Sequence, residues 1–192
     1  MKINENQIIC ALDFDDILKA EAFVNSINHD IIFKIGMEFF YSFGLEGVSK
    51  IRNLKKNIKL FLDLKLHDIP NTVKNGLQAL QKIKPLLTTI HISGGDEMMK
   101  ASNISNKTSK VLGVSILTSL NRKQTKKYYN QNDLSTLVKK FAKAAKKNKL
   151  DGVVCSPKEI QYIRKEVGDD FIIVTPGIRL DDKIKDDDQK RV

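Results

Sequence analysis

The stretch FLDLKLHDIPNT, residues 61–72, places three charged side chains where an apolar run ends. Asp63 and Lys65 are two residues apart and face the same side of a regular strand, and Asp68 follows them. A lysine beside carboxylates can donate a proton and can stabilise negative charge that develops in a reaction. Burial penalises each charge, and pairing offsets the penalty. These residues alone leave two interpretations open, a reaction site and a salt-bridge network.

Two more charged residues, Asp13 and Lys34, come near the ends of the two earlier apolar runs. Lys34 could reach the space that Asp63 and Lys65 share if the runs form neighbouring strands. Each close pair would contribute on the order of 4 kcal/mol before desolvation, at about 4 Å and an effective dielectric constant of about 20. The pattern therefore predicts a cluster of alternating acids and bases.

Short apolar runs alternate with segments in which apolar residues have helical spacing. This alternation favours βαβ units and a parallel sheet, and near-continuous apolar runs are typical of strands covered on both faces. The polar segment 119–132 predicts a loop or a short irregular helix. The predicted strands span 7–13, 31–36, 58–64, 87–93, 110–118, 151–156 and 171–177.

Polar side chains collect at the ends of these predicted strands, where both a (β/α)8 barrel and an open doubly wound sheet bind ligands. An open sheet usually has a glycine-rich turn after its first strand. Here that turn, residues 13–16, is Asp-Phe-Asp-Asp. No linker divides the chain. We therefore predict an α/β fold, a (β/α)8 TIM barrel forming a single domain over residues 1–192.

Composition favours a globular cytoplasmic protein. The chain has 192 residues, of which 41% are hydrophobic and 29% charged. No apolar run reaches the roughly 18–20 residues that a membrane span needs, and the N-terminal apolar stretch is too short for a signal peptide. Cys10 and Cys155 lie in apolar runs, which predicts buried free thiols rather than a disulfide.

The net charge of +10 comes from lysines that are spread along the chain. A nucleic-acid-binding protein more often has clustered arginine or interleaved aromatic residues, and Trp is absent here. Solvated helix faces therefore explain the charge better than nucleic-acid binding. A positive field would still attract a small anionic substrate.

The residues after Asp68 identify a family. Pro70 suits the first turn of a helix, so IPNT is a strand-to-helix turn. The motif DLKxxDIPNT followed by TPGIR is highly specific, and the sequence resembles orotidine 5′-phosphate decarboxylases of the bacterial type over nearly its whole length. The resembling stretches are ALDF (11–14), FKIGMEFF (33–40), FLDLKLHDIPNT (61–72), HISGG (91–95), SILTS (115–119), LDGVVCS (150–156), VTPGIR (174–179) and DDQKR (187–191).

The resemblance implies a carboxy-lyase that converts orotidine 5′-monophosphate into UMP and CO₂ in de novo pyrimidine synthesis, without metal or organic cofactor. The sequence agrees, since it contains neither HExxH nor CxxC and its three histidines are spread out. Removal of CO₂ leaves electron density at C6 of the pyrimidine. Lys65 would stabilise that charge and supply the proton, and Asp63 would lie beside the substrate carboxylate.

The resemblance also implies further site residues. Lys34 would extend the charged network to the ribose, whose hydroxyls Asp13 would hold. Asp68 and Thr72 would enter the active site of the other subunit of a homodimer. The remaining matched ligand-binding positions are Thr118, Pro176, Arg179 and Gln189.

One departure from the family concerns the end of the sequence. Family members continue through an eighth strand with a phosphate-binding Gly-Arg pair and a final helix, whereas this sequence stops at Val192, so we expect a truncated form. Two other functions stay open as alternatives: a Mg²⁺-dependent sugar-phosphate decarboxylase or aldolase of the same suprafamily, and a non-catalytic barrel that binds nucleic acid.

Overall fold

The computed structural model of the protein describes residues 3–105, 108–178 and 191. Within them, strands and helices alternate along the chain. The strands are β1 (Ile9–Ala11), β2 (Ile32–Ile35), β3 (Lys59–Leu66), β4 (Leu87–His91), β5 (Lys110–Val114), β6 (Gly152–Val154) and β7 (Ile172–Val174). The helices are α1 (Ile17–Ser26), α2 (Met37–Asn53), α3 (Pro70–Leu80), α4 (Gly95–Ala101), α5 (Arg122–Tyr129), α6 (Leu134–Lys147) and α7 (Ile160–Val167).

The chain divides into two compact units. The first unit comprises Met1–Leu66, Asn75–Thr89 and Ile104–Lys110, and the second comprises His67–Lys74, Ile90–Asn103 and Val111–Val192.

In the first unit, β1, β2 and β3 pair in parallel. Their register aligns Ala11 with Lys34 and Lys34 with Phe61. Side chains alternate along a strand, so the neighbours of these residues point to the opposite face. That opposite face, with Leu12 and Leu62, packs against apolar residues of α1 and α2 in one hydrophobic cluster. The charged residues near the strand ends, such as Lys34 and Asp63, therefore lie on the face that does not pack against the helices.

In the second unit, β5, β6 and β7 also pair in parallel. Their register aligns Leu112, Gly152 and Ile172. A Cβ atom at Gly152 would lie 2.5 Å from the carbonyl oxygen of Ile172, so only glycine allows this approach of β6 to β7. The amphipathic helix α6, whose first turn is capped by Asp133, packs against α7.

The predicted α/β class with parallel strands is confirmed, and each predicted strand exists. Six of the ladders are shorter than the apolar runs, whereas β3 extends to Leu66, two residues beyond its predicted end. The fifth run was predicted to be a strand over 110–118, whereas β5 ends at Val114. The apolar run continues beyond β5 because residues of the following turn, such as Ile116, are also buried. Burial therefore extends further along the chain than strand pairing does.

The polar segment 119–132 contains α5, a regular helix where we predicted a loop or an irregular helix. Its start is a capping box: the Asn121 side chain accepts the Gln124 N–H, and the Gln124 side chain accepts the Asn121 N–H. No helix in the described part of the chain is both long and apolar enough to span a membrane.

Candidate active site

Asp63 and Lys65 form a direct ion pair at the end of β3, as their two-residue spacing predicted. The Lys65 Nζ lies 2.8 Å from Asp63 Oδ2. Asp63 is 9% exposed, and Lys65 is half-buried. A largely dehydrated pair interacts more strongly than a surface pair, and its geometry is better defined.

The backbone of Lys65 is left-handed, with φ of 50°. The other described non-glycine residues with positive φ lie outside strands, at Lys84, Asn130 and Lys149. This conformation costs an L-residue roughly 1–2 kcal/mol. Such strain persists only where surrounding contacts impose it, and it is concentrated at functional sites. Nothing in the sequence predicted it.

Thr89 in β4 contacts both members of the pair. Its side chain is fully buried. The Thr89 hydroxyl accepts the backbone N–H of Lys65 at 2.9 Å and lies 2.9 Å from Asp63 Oδ1. Sequence reasoning missed this residue, although two adjacent threonines in an apolar strand imply buried hydroxyls that need partners.

Lys34 and Asp13 form a second ion pair in the same unit. Lys34 Nζ lies 3.4 Å from Asp13 Oδ1. A Cβ atom at Gly36 would lie 3.3 Å from that carboxylate oxygen and 3.4 Å from Lys34 Nζ. The glycine therefore leaves room for the pair at the turn into α2.

The strand register puts the two ion pairs on one face of the sheet. Lys34 is aligned with Phe61, and Phe61 and Asp63 are two residues apart in β3. Their shared face lies opposite the one that packs against the helices. The arrangement thus presents two ammonium groups and two carboxylates, which can bind a polar anion and deliver a proton.

The other predicted site residues within the described range belong to the second unit. Asp68 is exposed, and its Oδ1 accepts the N–H of Ile69 at 2.7 Å. Thr72 is exposed in the first turn of α3, which begins at Pro70 as predicted. Thr118 and Pro176 are half-buried, after β5 and β7 respectively.

Arg179 and Gln189 lie outside the described residues.

A buried ion pair that the sequence did not predict lies in the second unit. The Arg191 guanidinium binds the carboxylate of Glu159 and donates to the carbonyl oxygens of Ile116 and Leu117 at 2.7 and 3.0 Å. Glu159 also accepts the N–H of Ser156 at 2.9 Å. Burial raises the pKa of Glu159, and Arg191 opposes that shift.

Both cysteines are free, as predicted, but Cys10 is half-buried rather than buried. Cys155 is buried, and burial, with a smaller effect of the nearby Glu159 charge, raises the pKa of its thiol to about 12. Such a thiol is not a reactive nucleophile at neutral pH.

The histidines do not form a metal centre within residues 3–105, 108–178 and 191. The rings of His67 and His91 are 5.2 Å apart between centroids. In that part of the chain, no group of three or more His, Cys, Asp or Glu side chains could hold a metal ion.

Comparison with known proteins gives concordant matches. The family model described as "Orotidine 5'-phosphate decarboxylase / HUMPS family" matches residues 6–192. The chain is 42% identical over 189 residues to the orotidine 5'-phosphate decarboxylase of Wolbachia pipientis subsp. Culex pipiens, covering 97% of this chain and 82% of the relative. It is 40% identical over 193 residues to the protein of that name from Staphylococcus saprophyticus, covering 98% and 83%.

A solved structure agrees with these matches. The crystal structure of orotidine 5'-phosphate decarboxylase from Lactobacillus acidophilus superposes with a TM-score of 0.81 at 37% identity. The match covers 90% of this chain and 81% of that one.

Proposed function

Because the chain belongs to the orotidine 5'-phosphate decarboxylase / HUMPS family, we propose that it converts orotidine 5′-monophosphate into UMP and CO₂ in pyrimidine biosynthesis. The main structural support for this function is the Asp63–Lys65 ion pair, in which the ammonium of the half-buried Lys65 lies 2.8 Å from the carboxylate of the buried Asp63. We infer that the enzyme is cytoplasmic and needs no metal or organic cofactor.

Lys65 supplies the proton in the proposed mechanism. The bond between C6 and the carboxylate carbon breaks, CO₂ leaves, and the electron pair stays on C6. The Lys65 ammonium stabilises this charge and transfers its proton to C6, which yields UMP and a neutral amine that solvent protonates again.

Asp63 acts on the substrate carboxylate and on Lys65. Two carboxylates in one pocket repel, and departure of CO₂ relieves this repulsion. Asp63 also fixes the position of the Lys65 ammonium through their ion pair. The repulsion raises the energy of the bound substrate, and the fixed ammonium stabilises the negative charge that develops in the transition state, so both effects lower the barrier of the chemical step.

The remaining predicted site residues bind the nucleotide. Asp13 and Lys34, paired at 3.4 Å, are suited to the ribose hydroxyls, which need both an acceptor and a donor. The other contacts to the phosphate and the base are assigned to Thr118, Pro176, Arg179 and Gln189.

We propose further that the fold is a (β/α)8 barrel in a single domain and that the enzyme is a homodimer. The parallel order of the strands supports the barrel. Exposure of Asp68, Thr72 and the apolar Ile69 supports a partner subunit covering this segment. In that dimer, Asp68 and Thr72 complete the partner's site.

Incubation of the purified protein, including any segment that follows Val192, with orotidine 5′-monophosphate tests the function. We expect equal amounts of UMP and CO₂, and the same rate after treatment with EDTA. A chain that forms no UMP would overturn the function. Loss of activity on chelation, restored by Mg²⁺, would favour the sugar-phosphate enzymes, an alternative that the matches do not support. Nucleic-acid binding is likewise not favoured.

A further inference from the structure

We propose that Thr89 is a positioning residue for decarboxylation: its hydroxyl fixes the Asp63 carboxylate and the left-handed backbone of Lys65, and thereby the place of the Lys65 ammonium. The proposal rests on the proposed function, because it assigns the role through Lys65. It concerns the first unit alone, to which all three residues belong.

The directions of the two hydrogen bonds follow from the chemistry of the groups. The backbone N–H of Lys65 can only donate, so the Thr89 oxygen is its acceptor. An ionised carboxylate can only accept, so the Thr89 O–H donates to Asp63 Oδ1. One hydroxyl therefore binds the backbone of the proton donor and the side chain of its partner at once.

The contacts form a closed ring. The Lys65 N–H binds the Thr89 oxygen, the Thr89 O–H binds Asp63 Oδ1, and Asp63 Oδ2 binds Lys65 Nζ, at 2.9, 2.9 and 2.8 Å. Each carboxylate oxygen thus has its own partner. In such a ring the orientation of the Asp63 carboxylate determines the position of the Lys65 ammonium. The Thr89 hydroxyl of β4 fixes that orientation.

The ring also accounts for the backbone strain at Lys65. A left-handed lysine inside a strand relaxes unless contacts impose the conformation. The N–H of Lys65 points to a side-chain hydroxyl of β4 at the position where the φ angle is 50°. Loss of that acceptor would leave a part-buried N–H without a partner and would release the strained residue.

Thr88 provides a matched control. It is the chain neighbour of Thr89, it is fully buried as well, and it points to the other face of β4. Its hydroxyl has no hydrogen-bond partner among the described residues. Thr88→Val and Thr89→Val therefore make the same chemical change at adjacent buried positions, and only the second removes the ring.

The test compares Thr89→Val, Thr89→Ser and Thr88→Val, with activity expressed per UMP-binding site counted by calorimetry. Loss of hydrogen bonds to a buried charged group should lower kcat of Thr89→Val about 10- to 100-fold. KM should change by less than about threefold, because the nucleotide contacts stay. Thr89→Ser, which keeps the hydroxyl, and Thr88→Val should resemble the parent. A merely structural role would lower the number of binding sites and leave kcat per site unchanged.

A kcat of Thr89→Val within about threefold of that of Thr88→Val would overturn the proposal. If Thr89→Val does not fold, Thr89→Cys replaces it, since a thiol has similar size and bonds weakly. A parental kcat in Thr89→Cys would then overturn the role.

Failure of the proposed function gives a different result. If the parent forms no UMP, hydrogen exchange at the Lys65 amide still tests the bond itself. Exchange should be faster in Thr89→Val than in Thr88→Val, and equal rates would show that the hydroxyl does not hold Lys65.

Discussion

At the scale of single residues, Lys65 combines two unusual features. Its ammonium is paired with the carboxylate of Asp63, a residue that is 9% exposed, and its backbone is left-handed within a strand. A lysine that served only to balance charge would not need this backbone. The combination is that of a group held in one place for a reaction.

We expect Lys65→Ala to lower decarboxylation by about 10²- to 10⁴-fold, the usual contribution of a positioned proton donor. UMP binding should largely persist, because the proposed nucleotide contacts come from other residues. Steady-state kinetics and calorimetry measure the two effects. Lys19→Ala, at an exposed lysine of α1, is the control and should match the parent. Activity of Lys65→Ala within about tenfold of the control would contradict the role.

Gly36→Ala should raise KM with little change in kcat. The new Cβ would lie 3.3 Å from Asp13 Oδ1 and 3.4 Å from Lys34 Nζ, which displaces the pair assigned to the ribose. Gly76→Ala in α3 is the control, since its Cβ would make an ordinary contact of 3.5 Å with Leu66. An unchanged KM in Gly36→Ala would show that this pair does not bind the substrate.

At the scale of elements, Arg191 and Glu159 connect segments that are distant in sequence. The guanidinium binds the turn after β5 and the 3-10 helix before α7, at side-chain exposures of 11% for Arg191 and 3% for Glu159. Breaking such a pair by removing one partner leaves an uncompensated buried charge.

Arg191→Met should lower the free energy of unfolding at pH 7 by on the order of 3–5 kcal/mol. The pKa of Glu159 is raised by burial, and Arg191 lowers it, so the variant's Glu159 pKa lies higher still. A folded-state pKa above the unfolded value means that stability falls as pH rises between the two values. The loss of unfolding free energy in Arg191→Met should therefore be smaller at pH values below 4.5, the ordinary pKa of a glutamate, and should grow as the pH rises above it.

Urea unfolding at pH 4 and at pH 7 measures this difference. Lys100→Met is the control, because Lys100 pairs with Glu97 at side-chain exposures of 58% and 78%, and exposed pairs contribute about 0–1 kcal/mol. If Arg191→Met loses no more unfolding free energy at pH 7 than at pH 4, Glu159 is not the group that the substitution leaves unpaired.

At the scale of the whole molecule, the proposed dimer makes the active site a shared structure. A two-fold interface is reciprocal, so each subunit gives Asp68 and Thr72 to the other and receives the same residues. The exposed Ile69 beside Asp68 is the kind of side chain that such an interface covers.

Mixing Lys65→Ala and Asp68→Ala should restore activity that each variant lacks alone. In a mixed dimer, one site contains both substitutions and the other contains neither. Random exchange of equal amounts should therefore restore about one quarter of the parental sites. Activity is assayed after mass spectrometry confirms exchange. Confirmed exchange without recovery would mean that Asp68 acts in its own subunit.

The sequence was sufficient for features that depend on local pattern. Periodicity predicted the alternation of strands and helices, because it reflects which face of each element is buried. The two-residue spacing predicted that Asp63 and Lys65 meet, because alternation is a property of any strand. Pro70 predicted the start of α3, because proline is tolerated at the first helical position.

Only the tertiary structure decided the contacts between distant residues. Thr89 is 24 positions from Lys65 and 26 from Asp63, and Arg191 is 32 from Glu159. No local pattern encodes which hydroxyl faces which carboxylate, since that depends on register and packing between strands. The left-handed backbone of Lys65 is likewise decided by tertiary structure, because contacts from β4 impose a conformation that the local preference of a lysine opposes.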